Sequence, residues 1–335
     1  MTFPPAQFSG KILNTMEKHQ FINELEDQTD INSVYRIANK QIRANRNGDS
    51  YLQIEIYDKT GTITTRMWNA GENVYRALEI GDYALVSGKS QIFQGNMQII
   101  AKKIYKAEEN AYNPDDYLRE PAVKTDLLLK RLKEILQTIK TPELKNLTDC
   151  FLLDDEFVTQ FCNSPAGVKN HHAYKGGLLE HTLTIMEMAD KVAALYPVIN
   201  RDLLLTGAFV HDISKVDEIK FDVEITYSDE GQMLGHLVMG VEKLNEKIAE
   251  SEKLSGEPMS DSLKMQLKHL IISHHGEYEF GSPKLPMTLE AIALHHLDCM
   301  DSKIAGFAQL INDDLNQDSN WTCYVPALQR KIFKG

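Results

Sequence analysis

The chain has 335 residues, more than one domain of roughly 100–200 residues holds, so two domains are expected. Hydrophobic and charged fractions of 42% and 25% fit a folded globular protein, and no apolar run nears the roughly 20 residues a membrane crossing needs. A formal charge of −12 excludes a surface coated for polyphosphate binding, yet residues 1–107 carry +2 and residues 108–335 carry −14, so nucleic acid should be gripped first by the N-terminal part. The start, MTFPPAQFSGKI, lacks a basic stretch followed by an apolar core, which argues against a secretory signal. Four scattered cysteines, Cys150, Cys162, Cys299 and Cys323, form no CxxC pair and point to reduced thiols in a cytoplasmic protein.

Residues from about 31 to 107 read as short strands divided by turn signals. In DSYLQIEIYD, Asp49 to Asp58, period-two alternation puts Leu52, Ile54 and Ile56 on one face, and Lys59-Thr60-Gly61 turns the chain into TITTRMWN. A short helix is expected near Glu72 to Leu78. DYALVSGKSQIF and MQIIAKKIYK then form a hairpin across Gln94-Gly95-Asn96. Five strands with a helix between the third and fourth predict a Greek-key barrel of the oligonucleotide/oligosaccharide-binding (OB) type over 1–107. The polar, proline-bearing EENAYNPDDYLREP predicts a linker over 108–121. From there the period becomes 3.6: Leu127, Leu128, Leu132, Ile135, Leu136 and Ile139 mark one amphipathic helix, and others are expected near 177–195, 200–214, 236–250, 261–274 and 287–314. FDVEITYSDEGQML alternates and predicts a small inserted β-hairpin. The fold class is therefore multi-domain, an all-β barrel followed by a mostly α-helical domain over 122–320 and a C-terminal tail over 321–335.

Within the helical part, His181, His211-Asp212, His236, His274-His275 and Asp298 follow one another at helix ends or on separate helices. Imidazole nitrogens and carboxylate oxygens suit Mn, Fe, Co, Ni, Zn or, with more oxygen, Mg. Ligands from several helices can meet inside a bundle. A single histidine is ordinarily a packed or surface polar residue. Here, however, eight of the 11 histidines fall in four patches, HHAYKGGLLEH, HD, SHHG and LHHLD, mostly beside strongly apolar helix segments. Burying those rings without partners would cost roughly 1–3 kcal/mol per unsatisfied group, so a shared metal is the more economical explanation. His211 and Asp212 put a nitrogen and a carboxylate at one helix end, where the carboxylate can bridge two cations. Lys215 returns to the same helix face and could meet a substrate phosphate oxygen.

LLLTGAFVHDISK closely resembles the signature of the HD superfamily of metal-dependent phosphohydrolases. HHAYKGGLLEHT, MLGH, ISHHGEYEFGSPKLPMTLEA and LHHLDCMDSK behind a small barrel resemble the YhaM-type 3′-to-5′ exoribonucleases over nearly the whole chain. The barrel's YLQIEIYDKTGTITTRMWN is similar to that family's YLxLxLxDxTGxIxAxxW pattern. Ser214 stands where the family's HDIGK motif has glycine, which removes no ligand.

The resemblance implies that His181, His211, Asp212 and Asp298 form a first metal site and that His236 and His274 add a second sharing Asp212. His275 competes with His274, and Asp301 with Asp298. It further implies two divalent ions per chain, Mn2+ foremost among Mn2+, Mg2+, Fe2+, Co2+ and Ni2+, and a metal-activated water that hydrolyses single-stranded RNA or DNA to nucleoside monophosphates. Asp212 and Lys215 would be catalytic. His171, His172 and Lys215 would contact substrate phosphate, and the barrel's Arg43, Arg46, Tyr51, Trp68 and Phe93 would track the strand. A homo-oligomer with no membrane partner is implied as well. Two rivals remain: an HD phosphohydrolase of nucleotides or cyclic dinucleotides with a regulatory barrel, and a single-stranded nucleic-acid-binding protein with a non-catalytic HD domain.

Overall fold

The computed structural model describes residues 18–44, 50–68, 72–93, 96–117, 123–168, 172–221, 225–314 and 319–335; Arg46 and His171 lie outside the described residues. The chain divides into two compact units, the first running through Tyr117 and the second comprising residues 118–314 and 319–335.

In the first unit β1 (Asp30–Ala44), β2 (Ser50–Asp58), β3 (Gly61–Trp68), β4 (Tyr83–Phe93) and β5 (Asn96–Lys106) close into a barrel in the order β1-β2-β3-β5-β4, with α1 (Glu72–Arg76) between β3 and β4. β4 pairs back onto β1, and β3 runs parallel to β5. This is the expected OB barrel. Its interior is filled by the alternate residues that the sequence pattern selects, among them Leu52, Ile54, Ile56, Ile63, Val86 and Ile99. Closure needs a sharp bend in β4, where the register shifts between Ser87 and Gly88. A Cβ on Gly88 would lie 2.3 Å from the Ile100 carbonyl oxygen, so only glycine fits this bulge.

Asp58 anchors the β2–β3 turn. Its buried carboxylate accepts the backbone N–H of Thr60 at 2.7 Å, of Gly61 at 3.2 Å and of Ile22 at 2.8 Å, and the Thr60 hydroxyl at 2.5 Å. The aspartate of the D-K-T-G turn is thus a structural device that also holds the N-terminal 3-10 turn Ile22–Glu24 on the barrel. Since hydrogen bonds to a charged group contribute roughly 1.5–3 kcal/mol and do not add fully, Asp58→Ala should cost about 3 kcal/mol in urea unfolding. A loss below about 1 kcal/mol would show that these donors find water instead.

The barrel unit extends past residue 107. Tyr117 is buried and its hydroxyl donates to the Val34 carbonyl at 2.9 Å, while Tyr112 stacks on Tyr83 with centroids 3.8 Å apart. The first part of the segment expected as linker is therefore tied down by its aromatic rings.

The second unit holds α2 (Thr125–Leu136), α3 (Pro142–Leu153), α4 (Asp155–Asn163), α5 (Gly177–Leu195), α6 (Arg201–Val210), α7 (Lys215–Glu218), the hairpin β6 (Ile219–Phe221) and β7 (Ile225–Tyr227), α8 (Asp229–Ser255), α9 (Asp261–Ser273) and α10 (Leu289–Asn312). α3 and α4 were not expected, although Pro142 at the start of one and Asp154 capping the other are ordinary start signals. Their rings Phe151, Phe157 and Phe161 join Phe209 in the core. The inserted hairpin is present but shorter than the alternation suggested. Ser228 accepts the Gly231 N–H at 2.9 Å and starts α8 at Asp229, ahead of the expected 236. α8 then kinks at Gly235, whose φ of 72° favours glycine, and His236 follows at once. Residues 319–335 pack as part of this unit, with Thr322 and Ile332 buried. No helix among the described residues is long and apolar enough to cross a membrane.

Candidate metal centre

α6 is buried nearly all round from Leu203 to Val210, as suits a helix at the centre of a bundle. It ends at His211, whose Nδ1 lies 2.8 Å from the Ala208 carbonyl oxygen. α9 ends the same way: His274 Nδ1 lies 2.7 Å from the Ile271 carbonyl oxygen. A helix C-terminus leaves carbonyls without intrahelical donors, and in both places an imidazole N–H supplies one. Because a carbonyl only accepts, Nδ1 carries the proton and Nε2 presents its lone pair the other way.

Three further rings follow the same rule. His275 Nδ1 lies 2.9 Å from the Phe280 carbonyl oxygen, His236 Nδ1 3.0 Å from Glu218 Oε1, and His181 Nδ1 2.7 Å from Asp301 Oδ2. Five Nε2 atoms on α5, α8 and the ends of α6 and α9 are thereby turned inward, the arrangement by which outer hydrogen bonds fix metal-ligating histidines.

Four of them converge on Asp212. Its Oδ2 lies 3.3 Å from His211 Nε2 and 3.6 Å from His181 Nε2, and its Oδ1 lies 3.5 Å from His274 Nε2 and 3.6 Å from His236 Nε2. Asp298 Oδ1 is 3.3 Å from His181 Nε2, and His275 Nε2 is 3.1 Å from His236 Nε2. Asp212 Oδ1 is buried and has no hydrogen-bond partner among the described residues. A buried carboxylate oxygen left without a donor amid inward lone pairs fits a cation. Two groups here can each hold a metal ion, His181-His211-Asp212 and His236-His274-His275. A third, His172-His181-Asp301, uses the outer face of the His181 ring.

The seven expected ligands are thus brought together. Of the competing aspartates, Asp298 faces the inward nitrogen of His181 and Asp301 the outward one. Both His274 and His275 reach the cluster. Lys215 is present too, its Nζ 2.6 Å from Asp212 Oδ2. His172 takes a different place from the one expected: both ring nitrogens are engaged inside the protein, Nε2 3.0 Å from Asp301 Oδ2 and Nδ1 2.8 Å from the Tyr174 hydroxyl, which leaves no ring nitrogen aimed at a phosphate. Glu218, Tyr174 and the supporting role of Asp301 escaped the sequence reading. Only Asp301, one helical turn after Asp298, had a usable signal. Ser214 donates its hydroxyl to the His236 carbonyl at 2.7 Å, so this departure from the glycine pattern braces the residue after the α8 kink.

Electrostatics follow from these neighbours. Burial opposes the charge of Asp212, but Lys215 and His211 outweigh it and hold the carboxyl well below the usual range. Burial also opposes a charge on His181, and Asp298 and Asp301 override it, raising the pKa to about 9. Burial lowers His274 and His275. Without metal at pH 7, His181 therefore carries a second proton that a cation must expel, whereas His274 and His275 are already neutral. Metal affinity at the His181 group should accordingly rise about tenfold per pH unit from 7 toward 9 and then level off, with about one proton released. Titration calorimetry in buffers of different ionisation heat measures this; pH-independent affinity over that range would contradict it.

On the barrel, Arg43, Tyr51 and Trp68 lie opposite one another across β1, β2 and β3, and the rings of Tyr51 and Trp68 are 4.8 Å apart. Trp68 is 47% and Phe93 50% exposed, the latter at the end of β4. Aromatic rings half in solvent beside a basic side chain are suited to stacking bases.

Comparison with known proteins agrees with both units. The OB-fold nucleic acid binding domain model matches residues 36–107, and the HD domain model matches 178–303. The chain is 33% identical over 285 residues to the 3'-5' exoribonuclease YhaM of Geobacillus sp. (strain WCH70), covering 84% of each chain. It is 32% identical over 293 residues to the 3'-5' exoribonuclease YhaM of Bacillus velezensis, covering 86% of this chain and 89% of that one. With likeness at this level along most of both chains, and with the OB and HD domains in the order read from the sequence, the protein belongs to the YhaM family of 3'-5' exoribonucleases.

Proposed function

We propose that the protein is a metal-dependent 3′-to-5′ exonuclease that hydrolyses single-stranded RNA, and DNA of the same form, to nucleoside monophosphates. The observation that carries the chemistry is the convergence of four inward imidazole nitrogens on the two oxygens of one buried carboxylate, Asp212, with the inward nitrogen of His275 beside that of His236. His181, His211, Asp212 and Asp298 would hold one divalent cation, and Asp212, His236, His274 and His275 a second, with Mn2+ the favoured ion. Bound there, the cations would lower the pKa of an attacking water and stabilise charge on the oxygens of an in-line displacement. Lys215, whose Nζ lies 2.6 Å from Asp212 Oδ2, would neutralise a non-bridging phosphate oxygen. The row Arg43, Tyr51 and Trp68, with Phe93 and, outside the described residues, Arg46, would hold the single strand by stacking and charge.

End-labelled single-stranded RNA incubated with Mn2+ should shorten stepwise from its 3′ end, and the purified protein should contain about two metal ions per chain. Inertness toward oligomers combined with hydrolysis of mononucleotides or cyclic dinucleotides would instead favour a nucleotide phosphohydrolase.

A further inference from the structure

His172, beside the metal centre, combines a left-handed backbone with an imidazole engaged at both ring nitrogens. Its φ is 52°, a region that side-chain-bearing residues seldom occupy. The surroundings hold it there. Its carbonyl oxygen accepts from Ala166 N at 3.0 Å and Tyr174 N at 2.9 Å, and a Cβ on Gly177 would come within 2.1 Å of that oxygen. Backbone strain of this kind persists where the structure over-determines it, commonly at functional sites.

The constraint delivers the ring to one place. Nε2 meets Asp301 Oδ2 at 3.0 Å, and the same oxygen meets His181 Nδ1 at 2.7 Å. On the far side, Nδ1 meets the Tyr174 hydroxyl at 2.8 Å, and that hydroxyl donates to Glu180 Oε2 at 2.5 Å. A continuous chain therefore runs Glu180, Tyr174, His172, Asp301, His181. Asp301 sits one turn beyond Asp298 on α10, close enough to be a rival ligand, yet its Oδ2 is shared between two imidazoles.

We propose that His172 is a positioning residue for the metal centre: through Asp301 it fixes the His181 ring with Nε2 turned inward, and it keeps Asp301 out of the ligand set. Tyr174 and Glu180 fix His172 in turn. This assignment rests on the metal-centre reading above.

The test uses the full-length protein stripped of metal and titrated with Mn2+ by calorimetry. His172→Gly removes the ring without left-handed strain and should weaken Mn2+ binding roughly 10–100-fold, the range typical of lost outer hydrogen bonds to metal ligands. His172→Gln, which can still donate to Asp301, should recover part of that loss, and Tyr174→Phe should show a smaller loss in the same direction. KM for RNA at saturating Mn2+ should stay unchanged, whereas turnover at limiting Mn2+ should fall. Wild-type Mn2+ affinity in folded His172→Gly overturns the proposal; should that variant not fold, wild-type affinity in Tyr174→Phe overturns it instead. Absence of Mn2+ uptake by the wild type would overturn both this assignment and the reading beneath it.

Discussion

Asp212→Asn is expected to lower kcat for RNA hydrolysis by roughly a thousandfold or more, several kcal/mol of lost charge stabilisation, while RNA binding to the barrel persists. The two side chains have nearly the same shape, so the buried site should still fold. Their chemistry differs at one atom. Asp212 turns one oxygen toward His181 and His211 and the other toward His236 and His274, and each direction offers a cation an anionic ligand. The amide can keep only one oxygen. Its NH2 would point hydrogens at one pair of imidazole lone pairs, so one cation loses a ligand and the bridge is gone. Elemental analysis should find fewer than two metals per chain, and an end-labelled RNA assay should find almost no shortening. Near-wild-type turnover with full metal content would sink the two-cation reading, because nothing else described in the site joins both groups.

The barrel was legible because alternation is a local signal: Leu52, Ile54 and Ile56 face inward for the reason the pattern gives. The inward histidines were legible as a set, since polar rings flanked by apolar helix need partners. The choice between His274 and His275 was not. In a continuing helix consecutive side chains diverge by about 100°, and a helix end expected near 274 does not say where the next side chain goes: α9 ends at Ser273, Gly276 has φ 79°, and His275 lies beside His236. The outer partners were hidden for a different reason. Glu218 reaches His236, and His172 reaches Asp301, across loops and helices far apart in sequence. No spacing rule connects such pairs. The start of α8 was missed because strand-like alternation in FDVEITY ran on into SDEGQML, where the Ser228 cap overrides it.

Phe209→Ala should destabilise the helical unit by roughly 3–5 kcal/mol, the usual cost of emptying a buried phenylalanine site. Phe209 is 1% exposed and lies edge to face with Phe151 at 5.6 Å and with Phe161 at 6.0 Å, so truncation takes one aromatic contact from each of two rings. Aromatic pairs of this geometry contribute about 0.5–1.5 kcal/mol beyond area burial, which places the loss toward the upper part of that range. The position also matters for the site. Phe209 stands two residues before His211 on α6, so a cavity beneath it loosens the helix end that aims both His211 and Asp212. Metal should oppose the defect, because cations that bind only the folded centre stabilise it by mass action, by about 2.7 kcal/mol at one hundred times the dissociation constant. Urea titrations of Phe209→Ala with and without excess Mn2+ separate the two effects. A smaller Mn2+-induced rise in midpoint for Phe209→Ala than for the wild type would tie the aromatic core to the centre it supports. An equal rise in both proteins would mean that the packing under α6 and the metal site are not coupled.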